Sequence, residues 1–212
     1  MMRKQRRQFV LPALLAALLF AGPAHAHGLA GGSVLDELVA GFSAPLDVPA
    51  TILLMLASGL VAALWSSSGF PRLGQGLLAG VAAGPALALL LARSGVAIPV
   101  WPPLALAILL AVMAALARRW PQWLVQALML GGGILAVFAT LLDHSVADLN
   151  WFTATGLAGG VLFFTAAAAA LFSLPQMFLP LNVARLGLRI VASWIGAIAI
   201  LLLAFTLRGT VA

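Results

Sequence analysis

Six long apolar stretches follow one another with only short breaks: approximately Val48–Ser66, Leu73–Leu91, Trp101–Ala117, Gln122–Leu142, Trp151–Phe172 and Leu186–Leu207. A helix crosses the hydrocarbon of a bilayer with about 20 apolar residues, so this spacing predicts an all-α integral membrane bundle of six transmembrane helices. Charge is correspondingly scarce. Only 8% of residues are charged and 64% are hydrophobic, against roughly a quarter charged in a soluble domain. The lipid bilayer is therefore the expected partner, and a nucleic-acid face is excluded, since the net charge of +6 reflects a few arginines set against five acids. The chain has no cysteine, which removes disulfides, thiolate metal sites and cysteine nucleophiles.

The beginning of the chain reads differently. Arg3, Lys4, Arg6 and Arg7 precede a short apolar core, Phe9–Phe20, which ends in Ala21-Gly-Pro-Ala-His-Ala26. A basic start, a short core and an Ala-x-Ala ending describe a secretory signal peptide over residues 1–26. The core is short for an uncleaved anchor, so cleavage after Ala26 is expected. A six-helix domain over residues 27–212 would then begin outside the cytoplasm at His27. An even number of helices returns the C-terminus outside as well, giving a multi-pass protein of a bacterial inner membrane with both mature termini periplasmic. In this topology the inner side carries Arg72, Arg118, Arg119, Arg185 and Arg189, and the outer side only Arg93 and Arg208. Inner loops are enriched in arginine and lysine, and tryptophan gathers at interfaces. Trp65, Trp101, Trp120, Trp123 and Trp151 all fall near expected helix ends.

The same topology places every acid outside: Asp36, Glu37, Asp47, Asp143 and Asp148. Either so few acids share a side by sparsity, or they form a mouth that concentrates a cation, because charge beside a low-dielectric wall focuses the field. Asp143, His144 and Asp148 share one short connection. His144 there is either solvated or a ligand together with Asp143, Asp148 or His27. His27 is either a loose first residue or, once exposed by cleavage, a chelator through its α-amine and imidazole, donors that suit copper, nickel or zinc. The candidate metal residues are thus His27, Asp47, Asp143, His144 and Asp148. At mid-helix depth the polar groups are only Thr51, Ser58, Gln126, Thr140, Thr165 and Ser193, which leaves acid–base or nucleophilic catalysis without suitable side chains; no enzyme activity is expected. Gly76, Gly80 and Gly84 form a four-residue repeat, echoed by Gly156 and Gly160, with Gly131-Gly-Gly133 between. Such spacing lets helix backbones approach closely. Ser173–Ala184, broken by Pro175 and Pro180, reads as an interfacial or re-entrant segment.

Several of these residues carry a resemblance. His25-Ala-His27-Gly is followed by Gly41-Phe42-x-x-Pro45-Leu46, then Met55 and Gly59. The pattern resembles the HupE/UreJ family of six-helix membrane proteins, accessory to hydrogenase and urease systems and regarded as nickel or cobalt permeases. That family's first-helix motif reads approximately G-F-x-H-P-x-x-G-x-D-H-x-x-A-M. Gly41, Phe42, Pro45 and Met55 match it, whereas Ala44, Ala50 and Thr51 stand where the motif has its histidines and aspartate. The family's Phe-His-Gly-x-Ala-His-Gly stretch corresponds to Phe138-Ala139-Thr140-Leu141-Leu142-Asp143-His144, and its fifth-helix histidine to Thr165. The resemblance implies a six-helix bundle handling Ni, Co or a similar divalent ion, with the in-membrane ligands replaced. Two further classes stay open: a non-transporting scaffold or accessory subunit that binds a membrane-protein partner or forms a homo-oligomer, and, least supported, an intramembrane enzyme.

Overall fold

The structure, a computed structural model, describes residues 33–94, 99, 101–116, 118, 120–142 and 150–209, with backbone alone at 66–73, 91–94, 142 and 209. The signal peptide expected over residues 1–26 and the mature start at His27 lie outside the described residues. Every regular element described is helical: α1 (Val34–Ser43), a 3-10 turn (Ala44–Leu46), α2 (Pro49–Ser94), α3 (Trp101–Leu116), α4 (Gln122–Leu142), α5 (Trp151–Ser173), α6 (Pro175–Phe178) and α7 (Leu181–Gly209).

Three described stretches are long and apolar enough to cross a membrane: Gln122–Leu141, Trp151–Phe178 and Leu181–Arg208. A fourth crossing is reached if Val34–Leu46 and Pro49–Trp65, bent by 77° at their junction, act as one broken span. Gly74–Leu90 and Trp101–Leu116 are apolar but shorter; at 1.5 Å per residue each covers about 25 Å, a little less than the roughly 30 Å of hydrocarbon. The start of α7 differs from that expected: Leu181, rather than Leu186, opens it, and the segment 173–184 is divided between the end of α5, the single turn α6 and the start of α7. The cause is local: Leu174 keeps helical dihedrals, so Pro175 begins a new turn, and Leu179 turns extended before Pro180.

The first two apolar stretches are limbs of one helical run, and α2 turns back on itself. The Thr51 hydroxyl lies 3.3 Å from that of Thr140, while a Cβ on Gly84 would stand 2.8 Å from the Cβ of Val137. Residues 51 and 84 therefore sit near the same end of α4, although a straight helix would separate them by about 50 Å. The first limb runs antiparallel to α4 (Thr51 at Thr140, Ser58 at Gly132), and the second runs parallel to it (Gly76 at Gln126, Gly80 at Leu130, Gly84 at Val137). The first limb also runs parallel to α5, with Gly59 against Thr165 and Ala168 and the Gln176 amide donating to the Ala63 carbonyl at 3.2 Å. At the edge, α7 runs antiparallel to α3, with Arg189 at Ala115 and Gly196 at Ala111.

The core is made of alanine, leucine and valine around this axis, including Leu54, Ala57, Leu60, Leu110, Val125, Met129, Val137 and Leu157. Its tightest points are glycines. A Cβ on Gly80 would collide with the Leu130 carbonyl oxygen, and one on Gly133 would stand 2.7 Å from both the Leu77 oxygen and the Val81 nitrogen. The stripe Gly76–Gly80–Gly84 thus faces a helix, as its spacing predicts. Gly74, at the end of the stripe, has open space around it.

Helix α1 precedes the first limb. The Ser33 hydroxyl accepts from the Asp36 N–H at 3.3 Å, and the Asp36 carboxylate accepts in return from the Ser33 N–H at 2.9 Å, a reciprocal arrangement that fixes the helix start. Gly41 meets the Thr153 carbonyl oxygen, and Gly156 and Gly160 meet those of Leu38 and Phe42, so α1 and α5 touch backbone to backbone. Phe42 then seals the joint through Phe164 and Phe163, with ring centroids 5.3 Å and 5.4 Å away.

Gly80→Ala is expected to destabilise by about 1–3 kcal/mol, as extra atoms forced into a packed core do, and to lower folded yield in detergent. Gly74→Ala leaves both unchanged. Size-exclusion profiles and thermal melts of the two variants check this, and equal behaviour would place the stripe in a loose interface.

Candidate functional site

Five polar side chains are buried among the described residues: Thr51, Ser58, Thr140, Thr153 and Thr165. Four of them belong to the mid-helix set read from the sequence. Thr153 was missed there, because a threonine two residues into a helix carries no local sign of burial; only the arrival of Gly41 on its carbonyl covers it. Two expected members, Gln126 and Ser193, are not fully buried. Ser193 donates to the Arg189 carbonyl within its own helix at 3.0 Å.

Thr51 and Thr140 join the first limb to α4. Thr140 donates to the Ala136 carbonyl at 2.9 Å. With that proton engaged, the Thr140 oxygen is left to accept from Thr51. Two hydroxyls are weak ligands for a transition-metal ion. Ser58, seven residues along from Thr51 on the same face, stands opposite Gly132. The hydroxyls of Thr153 and Thr165 are buried without a hydrogen-bond partner. Around these groups lie Ala44, Ala50, Ala57, Ala136 and Ala139, all buried. The buried positions that correspond to in-membrane ligands in the resemblance (Ala44, Ala50, Thr51, Ala139 and Thr165) therefore carry methyl groups and hydroxyls in a close-packed interior. Transition metals prefer imidazole, thiolate or carboxylate.

Of the residues expected to bind metal, Asp47 is described. It is exposed, closes the 3-10 turn with its N–H on the Ala44 carbonyl at 3.1 Å, and marks the corner between α1 and α2. His27, Asp143, His144 and Asp148 lie outside the described residues. The helix ends that flank the last three can be placed. Thr140 in the last turn of α4 meets Thr51, and Thr153 in the first turn of α5 meets Gly41, so both ends of the stretch 143–149 attach at the end of the bundle that carries Asp47. No group of three or more His, Cys, Asp or Glu that could hold a metal ion occurs among the described residues.

The other two acids of that end sit on α1, ahead of the first limb. Asp36 is exposed, and the Ser33 hydroxyl (2.8 Å) and then its backbone N–H hold the carboxyl below the usual carboxylate range. It stays ionised, with one oxygen occupied by the helix cap. Glu37 is half exposed beside it.

The opposite end is basic. Arg189 donates through Nε to the Ala115 carbonyl at 2.7 Å, covering one of the free carbonyls at the C-terminus of α3. Because α7 starts earlier than expected, Arg185 and Arg189 belong to its first turns and not to a loop.

Comparison of the chain with protein-family models, with curated proteins and with solved structures finds no match to any of them. The fold and composition together are those of an all-helical protein with several helices long and apolar enough to span a membrane.

Thr51→Val and Thr140→Val are each expected to lower stability. Their double variant should lose less than the sum, by about 0.6 kcal/mol, the typical coupling of an interhelical hydrogen bond in a membrane protein. A double-mutant cycle by denaturant unfolding in micelles measures it; strict additivity would remove the bond.

Proposed function

We propose that the chain is a divergent relative of the HupE/UreJ membrane proteins, a divalent-metal permease or permease relative that receives its ion at an acidic and histidine-bearing outer mouth. The observation that carries this reading is the common end of the bundle: Asp47 and both helix ends flanking Asp143, His144 and Asp148 meet there. The ion is cargo. Carboxylates and neutral imidazoles at the mouth would exchange for part of its hydration shell, which hydroxyls and methyl groups at depth cannot do. The residues behind the resemblance also have coherent places: Gly41 and Phe42 at the joint of α1 and α5, Pro45 buried in the turn, and Met55 buried in the first limb.

Six crossings belong to the same proposal. The two limbs of α2, α3, α4, α5 and α7 would alternate in direction, and four observed pairings agree with that order: the first limb antiparallel to α4, the second parallel to it, the first parallel to α5, and α3 antiparallel to α7. Signal cleavage after Ala26, an inner-membrane location and periplasmic termini complete it. The sidedness rests on the arginines, which gather at the end opposite Asp47.

A second reading rests on a specific observation. The buried interior positions that match family ligands hold alanine and threonine, which favours a scaffold kept without transport, as an accessory subunit for metalloenzyme maturation or a membrane complex. Uptake of Ni²⁺ and Co²⁺ by cells expressing the chain separates the two. Accumulation above an empty-vector control supports the permease, and none supports the scaffold.

Titration of the purified protein with Ni²⁺, Co²⁺ and Cu²⁺ should show binding that weakens as pH falls through the histidine range, since protonated imidazole cannot ligate. The Asp143→Ala/His144→Ala variant, or a form lacking His27, should bind more weakly. Unchanged affinity in both would remove the mouth as the site. A reporter active only in the periplasm, fused after Ala212, should be active; an inactive one would overturn the orientation.

A further inference from the structure

The basic end of the bundle has chemistry that the metal reading does not use. Three of the described arginines belong to this end, with no acid beside them among the described residues. Arg189 is fixed by its Nε on the Ala115 carbonyl, and its two terminal nitrogens make no bond among the described residues. Arg185 lies one turn earlier on the same face of α7, and Arg118 follows the end of α3 three residues after Ala115; both are exposed, with no hydrogen bond or ion pair among the described residues. The described acids belong to the other end: Asp36, Glu37 and Asp47 precede the first limb.

The proposed six crossings set the level of these groups. Arg189 meets the last turn of α3, where that helix would leave the apolar layer. From there the first turns of α7 run on for about 12 Å to Leu181, which puts Arg185 at the height of lipid headgroups. Exposed Leu116, Leu186 and Ile190 flank the arginines and offer an apolar surface for acyl chains directly beneath.

We propose that Arg118, Arg185 and Arg189 bind the phosphate of an anionic phospholipid headgroup in the angle between α3 and α7. Guanidinium groups pair with phosphate through two parallel N–H donors, and basic recesses between membrane helices are suited to anionic headgroups. A lipid clasped by both helices would fasten α3 and α7 to each other.

The test uses the full purified chain in a non-ionic detergent, titrated with phosphatidylglycerol, phosphatidylcholine or inorganic phosphate, with bound lipid read by native mass spectrometry and stability by thermal melting. Phosphatidylglycerol should bind and raise the melting temperature; phosphatidylcholine and inorganic phosphate should not. Arg185→Gln and Arg118→Gln remove side chains that hold nothing within the chain, so both variants should fold. Each should weaken phosphatidylglycerol binding about fivefold, the equivalent of about 1 kcal/mol per arginine at an anionic surface. Arg208→Gln, at the other end of α7, should leave binding intact. Equal binding of phosphatidylcholine, an equal effect of inorganic phosphate alone, or unchanged affinity in the Arg185→Gln/Arg118→Gln double variant would each overturn the proposal.

Discussion

Close approach of helix backbones is the constraint on which the rest of this structure depends. In lipid, burying a leucine against another leucine gains little, so association rests on van der Waals contact and on polar groups that find each other. The chain meets this demand with glycines aimed at carbonyl oxygens: Gly80 at Leu130, Gly41 at Thr153, Gly156 at Leu38 and Gly160 at Phe42. Each contact puts two backbones where no other residue would allow them. The limbs of α2 are held on α4 in this way, and α1 on α5, and from those two joints follow the reversal of α2 and the 77° corner before it.

Much of this was legible in the sequence, and what was not has physical causes. The bounds of α4, α5 and α3 follow from the apolar runs almost to the residue, because in lipid a run of apolar side chains can only be helix. The glycine stripe on the second limb was readable for the same reason: a four-residue repeat falls on one face. Helix α1 was hidden. Its ten residues are too few for a span and carry Asp36 and Glu37, so they read as a polar lead-in; the helix exists because Ser33 and Asp36 cap it and Gly41 lets it lie on α5. The early start of α7 was missed because Pro180 looks like an interruption, whereas proline just ahead of a helix suits its opening. Which hydroxyls would meet was also out of reach. Thr51 and Thr140 stand far apart in the chain, and no periodicity pairs one helix with another.

The candidate site was legible as a set of residue types and only partly as a place. Asp47 is where the sequence put it, exposed at the head of the first limb. The joint of α1 and α5 and the Thr51–Thr140 bond supply what sequence order could not, a shared end for the segments that carry the remaining candidates. The interior is a different matter. Alanines at positions 44, 50 and 139 and threonines at 51, 140 and 165 keep the helices close, and that closeness itself opposes a path for a hydrated ion. A bundle packed this tightly would have to part its helices for cargo to pass.

The reversal of α2 also bears on how the protein is made. Both limbs press their glycines and threonines against α4, which leaves the ribosome only after the limbs and α3 have been synthesised. The contacts of Thr51, Gly76, Gly80 and Gly84 can form only once α4 has been made, so segments translated early complete their packing late.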